Sequence, residues 1–232
     1  MIIRLLNFLL IGSIVSSLLL SSCEKDENGI LDNPDYSQDQ GEFKDSRDGK
    51  TYKWVKIDDQ IWMAENLTYT GGGQYITDND EWVNNTDYDG WCYYDNESNN
   101  GTTYGLLYQW EAAKIACPSG WHLPNDTEWT KLEQFIDNNG HSGNVGSSLK
   151  ALTGWNDGGS GTDDYGYSAL PGGFRSNING TFHGVGGDCY WWCSTEYNSN
   201  YVYASFLFYF DADIHLHYDD KSYGFSVRCL RD

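Results

Sequence analysis

Two histidines, His215 and His217, alternate with apolar residues near the end of the chain. Residues two apart in a β-strand point to the same face, so the two imidazoles are predicted to lie side by side. Together with Asp211 or Asp213, they offer the donor types of a transition-metal site. Ordinary strand alternation, with polar side chains on a solvent-facing surface, is the favoured interpretation of the pattern.

A second group of oxygen-bearing side chains lies in a loop rich in Gly, Asn and Asp. Its members are Asn156, Asp157, Asp163 and Asp164. Ca²⁺ binds several oxygen ligands, so this loop is a candidate calcium site. The same residue types also form turns, and a chance cluster in such a loop is the preferred interpretation.

His122 lies between Trp121 and Leu123 in the motif WEAAKIACPSGWHLPNDTEW. No Ser or Cys nucleophile can be placed beside it, so we predict a fixed core histidine that hydrogen-bonds to the backbone. The sequence therefore offers no catalytic constellation, and we expect a protein that is not an enzyme.

Aromatic residues make up 16% of the chain. Those in loops rich in Gly, Asn and Asp are predicted to bind a ligand, because binding residues are frequent on loops. They are Trp82, Trp91, Tyr94, Trp155 and Tyr165. Aromatic faces stack on sugar rings, and the polar edges of Trp and Tyr hydrogen-bond. For Trp54, Trp110, Trp129 and Trp191, we predict core packing instead.

The chain has six cysteines. With Cys23 set aside, an odd number remains, so at least one thiol is predicted to stay outside intramolecular disulfides. Cys189 and Cys193 would lie ~13 Å apart in a regular strand, which is too far for a disulfide. No CxxC pair or suitably spaced His favours a zinc site.

The formal net charge is −20 over 232 residues. This charge repels nucleic acids and anionic membrane surfaces, so neither is expected as a partner. Neutral sugars and divalent cations remain compatible with it. The length suits one domain with a real core plus a tail.

Residues 1–22 have the pattern of a signal peptide, with Arg4 before the apolar run Leu5–Leu20. The tetrapeptide Leu20-Ser21-Ser22-Cys23 matches the bacterial lipobox, in which the cysteine receives the lipid. Cys23 is therefore the predicted membrane anchor.

The residues after Cys23, Glu24-Lys25-Asp26-Glu27, resemble the surface-export signal of Bacteroidetes lipoproteins. This resemblance implies an outer-membrane lipoprotein that is exposed at the cell surface. Residues 23–47 are predicted to form a flexible acidic tether and residues 48–232 the folded domain.

Alternating aromatic and β-branched residues predict a hairpin over residues 52–63, and residues 106–116 are predicted to form a helix that ends at Cys117-Pro118. A second helix begins after Pro124, where Asn125 and Glu128 form a capping box. Its buried face is predicted to consist of Trp129, Leu132 and Ile136.

The last third of the chain has the pattern of consecutive strands. They are predicted over residues 169–175, 190–196, 201–210, 213–218 and 224–231. Residues 68–103 and 140–168 have the composition of long loops. The resulting fold class is α+β, with two helices packed on an antiparallel β-sheet.

Several motifs give a more specific resemblance. They are DGKTYKWVKIDDQIWMAENL, YGLLYQWEAAKIACPSGWHLPNDTEW, SALPGGFR, YWWCSTE and YGFSVRCLRD. In this order they resemble the Fibrobacter succinogenes major paralogous domain family, a group of surface lipoprotein domains in Bacteroidetes. The family is defined by sequence, so the resemblance implies no activity and no catalytic residues.

The segment from Trp110 to Glu128 is also similar to the first-helix region of C-type lectin-like domains. Residues 123–129, together with Ser226–Cys229, are similar to formylglycine-generating-enzyme-type domains, which share that general fold. This resemblance implies a C-type lectin-like fold and a Cys117–Cys229 disulfide. Trp155-Asn156-Asp157 matches a triplet of calcium-dependent lectins, but the partner motif is missing.

Our leading hypothesis is therefore a non-enzymatic lipoprotein that binds an extracellular glycan or another ligand through its two long loops. The alternatives are a structural or adhesive module with a protein partner, and an oxidase-like enzyme related to the formylglycine generators.

Overall fold

The computed structural model describes residues 38–232, so the lipobox, Cys23 and the residues up to 37 lie outside the described residues. In the described range the strands are β1 (Gln40–Lys44), β2 (Thr51–Ile57), β3 (Gln60–Met63), β4 (Gln74–Tyr75), β5 (Gly90–Cys92), β6 (Leu107–Tyr108), β7 (Trp121–His122), β8 (Gly172–Arg175), β9 (Phe182–Val185), β10 (Asp188–Glu196), β11 (Tyr201–Phe208), β12 (His215–Asp220) and β13 (Leu230–Arg231). The helices are α1 (Asn79–Asn84), α2 (Ser98–Tyr104), α3 (Trp110–Ala116), α4 (Asp126–Ile136) and α5 (Val145–Leu149). Single 3-10 or π turns lie at Tyr94–Asn96, Asp137–His141 and Asn156–Gly158.

The first sheet has the order β1-β2-β3-β13-β7 and joins the start of the described chain to its end. The predicted hairpin is confirmed, because β2 and β3 pair antiparallel with Val55 opposite Trp62. The predicted tether is too long at its C-terminal end, since β1 pairs with β2 along its whole length. Phe43 fixes β1 to the domain by burying its ring against Trp121, with 4.5 Å between the ring centroids.

The second sheet has the order β12-β11-β10-β8-β9. Its consecutive strands β10, β11 and β12 are antiparallel, as expected for short connections. The pair β8–β10 is parallel, so the prediction of a purely antiparallel sheet is wrong. The predicted strand at 224–231 is also corrected. Gly224 and Ser226 make isolated bridges to the second sheet, and Leu230–Arg231 pairs within the first.

The sequence predicted a long loop over residues 68–103, but this segment is structured. They contain β4, α1, β5 and α2, and β4–β5–β6 form a small third sheet. Helix α1 has its own N-cap, because the Asp78 carboxylate accepts the backbone N–H of Glu81. The composition concealed these elements because each is short, and because the two helices are rich in Asn.

A buried arginine holds this region to the second sheet. Arg175 is 0% exposed. Its guanidinium donates to the backbone carbonyls of Ile76, Thr77, Asp78 and Gly180 and to the side-chain oxygen of Asn79. A buried cation is tolerated when its donors are satisfied in this way.

The central motif is organised around the disulfide that the resemblance implied. Cys117 and Cys229 form it, with 5.9 Å between their Cα atoms, so that prediction is confirmed. Helix α3 begins at Trp110 rather than at Leu106, and Ile115 near its end is 66% exposed.

Helix α4 is confirmed in detail. The Asn125 side chain accepts the backbone N–H of Glu128, and the Glu128 side chain accepts that of Asn125. Trp129, Leu132 and Ile136 are buried. The coarse fold class is therefore α+β, with mixed sheets and short helices. Among the described helices, none has the length and apolar character needed to cross a membrane.

Candidate ligand-binding surface

Most of the loop aromatics predicted to bind a ligand are buried in the protein. The buried ones are Trp82, Trp91, Tyr94 and Trp155. The indole N–H of Trp82 donates to the carbonyl of Ser222 at 3.1 Å, and that of Trp155 to the carbonyl of Ala169 at 3.0 Å. Aromatic rings buried to this extent pack in the core and cannot stack on a ligand, so the prediction is wrong for these four. Tyr165 stays partly exposed against Phe135 and His141.

The predicted calcium ligands are engaged in the turns of their own loop. Asp163 accepts the backbone N–H and the hydroxyl of Ser168, and Asp164 accepts the hydroxyl of Thr162. Asn156 and Asp157 are exposed. Across residues 38–232, no group of three or more His, Cys, Asp and Glu side chains is placed to hold a metal ion.

His122 is not the core histidine that the sequence suggested. Its Nδ1 lies 2.6 Å from a carboxylate oxygen of Asp232, and its Nε2 lies 3.0 Å from one of Glu128. The hydrogen bond to Glu128 raises the pKa of His122, and Asp232 adds to this effect against the opposing effect of burial. Burial alone would raise the pKa of Glu128, but the bonds from His122 and the Asn125 N–H lower it. Through these bonds, His122 on β7 connects the first turn of α4, at Glu128, to Asp232.

A row of five rings crosses the second sheet, with one ring from each strand. We call this row the aromatic stripe. It consists of His183, Phe174, Tyr190, Phe206 and His215, on β9, β8, β10, β11 and β12. The strand register places His183 opposite Phe174. It also places Phe206 opposite both Tyr190 and His215.

Neighbouring rings of the stripe are in contact along its whole length. The ring centroids lie 5.6 Å apart for His183 and Phe174 and 5.1 Å apart for Phe174 and Tyr190. Both remaining steps, from Tyr190 to Phe206 and from Phe206 to His215, are 5.4 Å. These separations follow from the ~4.8 Å spacing of neighbouring strands.

The stripe lies on a face of the sheet that the core leaves partly open. Its rings are partly exposed or exposed, whereas alternating residues such as Trp191 and Leu207 are fully buried on the other face. Tyr190 is held in place by Phe225, whose ring stacks on it at 4.8 Å. The stripe is therefore both accessible and fixed in position.

Two further rings extend the stripe at its His215 end. Phe208 lies 6.0 Å from His215, and Phe210 stacks on Phe208 with an interplanar angle of 5°. Phe210 is 70% exposed. A contiguous apolar surface of this kind marks a binding site more often than scattered apolar residues do.

Carboxylates lie beside the centre of the stripe. Burial raises the pKa of Asp188, and it also raises that of Asp219. Burial raises the pKa of Tyr190 as well, and the charges of these two carboxylates add to the effect. Partly desolvated carboxylates next to a hydroxyl are strong acceptors for a ligand that carries O–H groups.

Comparison with known protein families identifies the domain. The model of the Fibrobacter succinogenes major domain matches residues 55–231. The chain belongs to this family. No curated protein and no solved structure shows a significant match to the chain. The matched range of the Fibrobacter succinogenes major domain contains the whole aromatic stripe and both cysteines of the disulfide.

The unpaired thiols of this Fibrobacter succinogenes major domain are buried. They are Cys92, Cys189 and Cys193, so the expectation of at least one unpaired thiol is confirmed. Burial raises the pKa of Cys92 to about 12 and that of the other two above their ordinary value. Thiols of this kind are poor nucleophiles, because the thiolate is the reactive form.

The sequence did not reveal the stripe, although each of its strands was partly recognised. The signal was the alternation in FLF (206–208) and in HLH (215–217), where every second side chain is an aromatic or imidazole ring. Alternation assigns such residues to one face of each strand. It does not give the order β12-β11-β10-β8-β9, which brings the rings into one row.

Proposed function

We propose that this domain is a non-enzymatic ligand-binding module that binds a glycan across the aromatic stripe. The observation that supports this proposal is the contact between five accessible rings, one from each strand of the second sheet. The ligand class is the one expected from the sequence, but the binding surface lies on the sheet and not on the long loops.

The chemistry of the stripe suits a neutral sugar polymer. The faces of Phe174 and Phe206 present negative π density to the C–H groups of a sugar ring. The hydroxyl of Tyr190 and the carboxylates of Asp188 and Asp219 can bond the sugar hydroxyls. The net charge of −20 disfavours a polyanion on this acidic surface.

The finer fold and the location belong to the same proposal. The Cys117–Cys229 disulfide, which joins the end of α3 to the last residues, supports a C-type lectin-like fold. The lipobox at Cys23 and the acidic residues after it support a lipid-anchored outer-membrane protein exposed at the cell surface. The burial of the three unpaired thiols argues against an oxidase-like enzyme, which needs a reactive thiolate.

The test compares stripe variants for binding to immobilised neutral polysaccharides. Phe174→Ala and Phe206→Ala should each weaken binding about two- to tenfold, the value of one aromatic contact. Tyr201→Ala is the matched control, because Tyr201 is on β11, is 39% exposed and lies outside the stripe.

Two results would contradict the glycan proposal. One is equal binding by the stripe variants and the control. The other is capture of an envelope protein, but of no polysaccharide, by the folded wild type, with capture lost in the stripe variants. That second result would establish the adhesive alternative, in which the partner is a protein.

A further inference from the structure

A cavity of about 490 Å³ lies away from the aromatic stripe, beside the β2–β3 hairpin and the end of α2. Its lining includes Lys50, Lys53 and Arg228 as cations and Glu65 as the single carboxylate. The cavity is therefore positive in a chain whose acidic residues number 34 against 14 Lys and Arg.

Arg228 brings a buried charge to the cavity wall. It is 1% exposed. Its guanidinium donates twice to the side-chain oxygen of Asn66 and once to the carbonyl of Tyr167. Both partners are neutral, and no carboxylate in residues 38–232 forms an ion pair with Arg228.

A guanidinium has five N–H donors, so the three bonds leave two without a hydrogen bond to oxygen in the described part of the chain. The group also lies over the Tyr167 ring, 4.2 Å from its centroid, but this contact supplies no negative charge. A desolvated cation without a counter-charge is costly. An anion in the cavity would supply the missing charge and the missing acceptors. Arg175, by contrast, has its donors satisfied by backbone and side-chain oxygens.

Two lysines at the cavity add to the positive charge of Arg228. Lys50 Nζ donates to the Thr68 hydroxyl at 2.6 Å, and no ion pair to a described carboxylate engages it or Lys53. The one carboxylate at the cavity, that of Glu65, accepts the backbone N–H of Lys53 at 3.0 Å and forms no ion pair with either lysine. The cationic groups are thus available to a ligand.

Aliphatic hydroxyl groups form a large part of the remaining wall. They come from Thr51, Thr68, Thr102, Thr103 and Ser168. Hydroxyls both donate and accept, so they match a ligand that itself carries several hydroxyls. Small-ligand sites combine a cavity of this size with a few convergent polar groups.

We propose that the cavity binds a small polyol that carries one oxyanion, the chemistry shared by sugar acids and sugar phosphates. The anion pairs with Lys53, Lys50 and Arg228, and the threonine hydroxyls bond the polyol. This site is separate from the aromatic stripe and does not depend on the glycan proposed there.

The experiment is calorimetric titration of the full-length protein. The probes are glucuronate, glucose 6-phosphate, glucose and inorganic phosphate. One or both anionic sugars should bind at one site, and the two arms distinguish a carboxylate from a phosphate. Glucose lacks the charge and phosphate lacks the polyol, so each should bind at least tenfold more weakly.

Substitutions locate the binding. Lys53→Gln and Lys50→Gln should each weaken the anionic sugar about tenfold, because a hydrogen bond to a charged group is lost. Lys56→Gln is the control, since Lys56 is on the same strand, has the same charge and does not line the cavity. These exposed lysines avoid the unfolding expected for a change at the buried Arg228.

The proposal is overturned if neither anionic sugar binds the folded protein, or if glucose binds as tightly as the anionic sugars. Equal binding of inorganic phosphate would reduce the site to one for simple anions and would also refute it. Equal weakening by Lys56→Gln would show a general charge effect instead of a site. These outcomes are independent of the polysaccharide assay, so a failure of the glycan proposal would not affect the test of the cavity.

Discussion

Removal of the Cys117–Cys229 disulfide is the perturbation whose effect follows most directly from the structure. The two residues are separated by 112 positions, so the bridge closes more than half of the described chain into one loop. In the chain-entropy model a loop of this length stabilises the folded state by about 4.8 kcal/mol at 25 °C, through restriction of the unfolded chain. Folded domains are stable by only ~5–15 kcal/mol, so the loss would be a large fraction.

The measurement is equilibrium urea unfolding of the wild type and of the Cys117→Ala, Cys229→Ala double variant. We expect the free energy of unfolding to fall by about 2–5 kcal/mol. The slope of that free energy against urea should rise, because the unfolded chain without the cross-link exposes more surface. Reduction of the wild type should have the same two effects.

Cys193→Ala is the matched control. Cys193 is as fully buried as Cys229 but is not bridged, so its variant reports packing without a change in loop closure. The reasoning is refuted if the double variant loses less than about 1 kcal/mol, or if its urea slope equals that of the wild type.

Three further predictions concern single side chains. His122→Gln should remove a pH-dependent part of the stability, because the pKa of His122 is raised on folding. The contribution of His122 to the free energy of unfolding is complete below about pH 6.5 and disappears as the pH rises through the folded pKa. Urea titrations at several pH values would show this. The refuting outcome is an unchanged pH profile. Asn125→Ala should lower the free energy of unfolding by about 1 kcal/mol through loss of the cap, whereas Asn125→Asp should retain it, and equal losses in both would contradict the capping role. The thiols of Cys92 and Cys193 should resist alkylation in the folded protein and react after unfolding, because burial raises the pKa of each; rapid labelling of the native protein, read by mass spectrometry, would disprove this.

Local signals in the sequence predicted the local structure well. The capping box at Asn125 and Glu128 and the hairpin at residues 52–63 each depend on residues close in the chain, and both are confirmed. The disulfide needed more than spacing, and the resemblance to lectin-like domains supplied it. The family resemblance is confirmed by the match over residues 55–231.

Long-range packing explains the failures. Trp82 and Trp155 lie in polar, glycine-rich segments, yet tertiary contacts bury both and satisfy their indole N–H groups. The terminal segment also changes sheets near Ser226, which strand alternation alone does not indicate. The row formed by Tyr190, Phe206 and His215 also depends on strand order and register. The sequence of a single strand determines neither of them.

The regular step of the aromatic stripe acts as a ruler for a repeating polymer. Its rings recur every 5.1–5.6 Å because the sheet sets their interval, and they do so across all five strands. A linear oligomer laid across the strands, with a monomer repeat of similar length, would gain one more ring contact with each added unit. Affinity should therefore rise with the degree of polymerisation and level off once the oligomer spans the sheet, whereas a polymer with a different repeat would lose register after the first contacts.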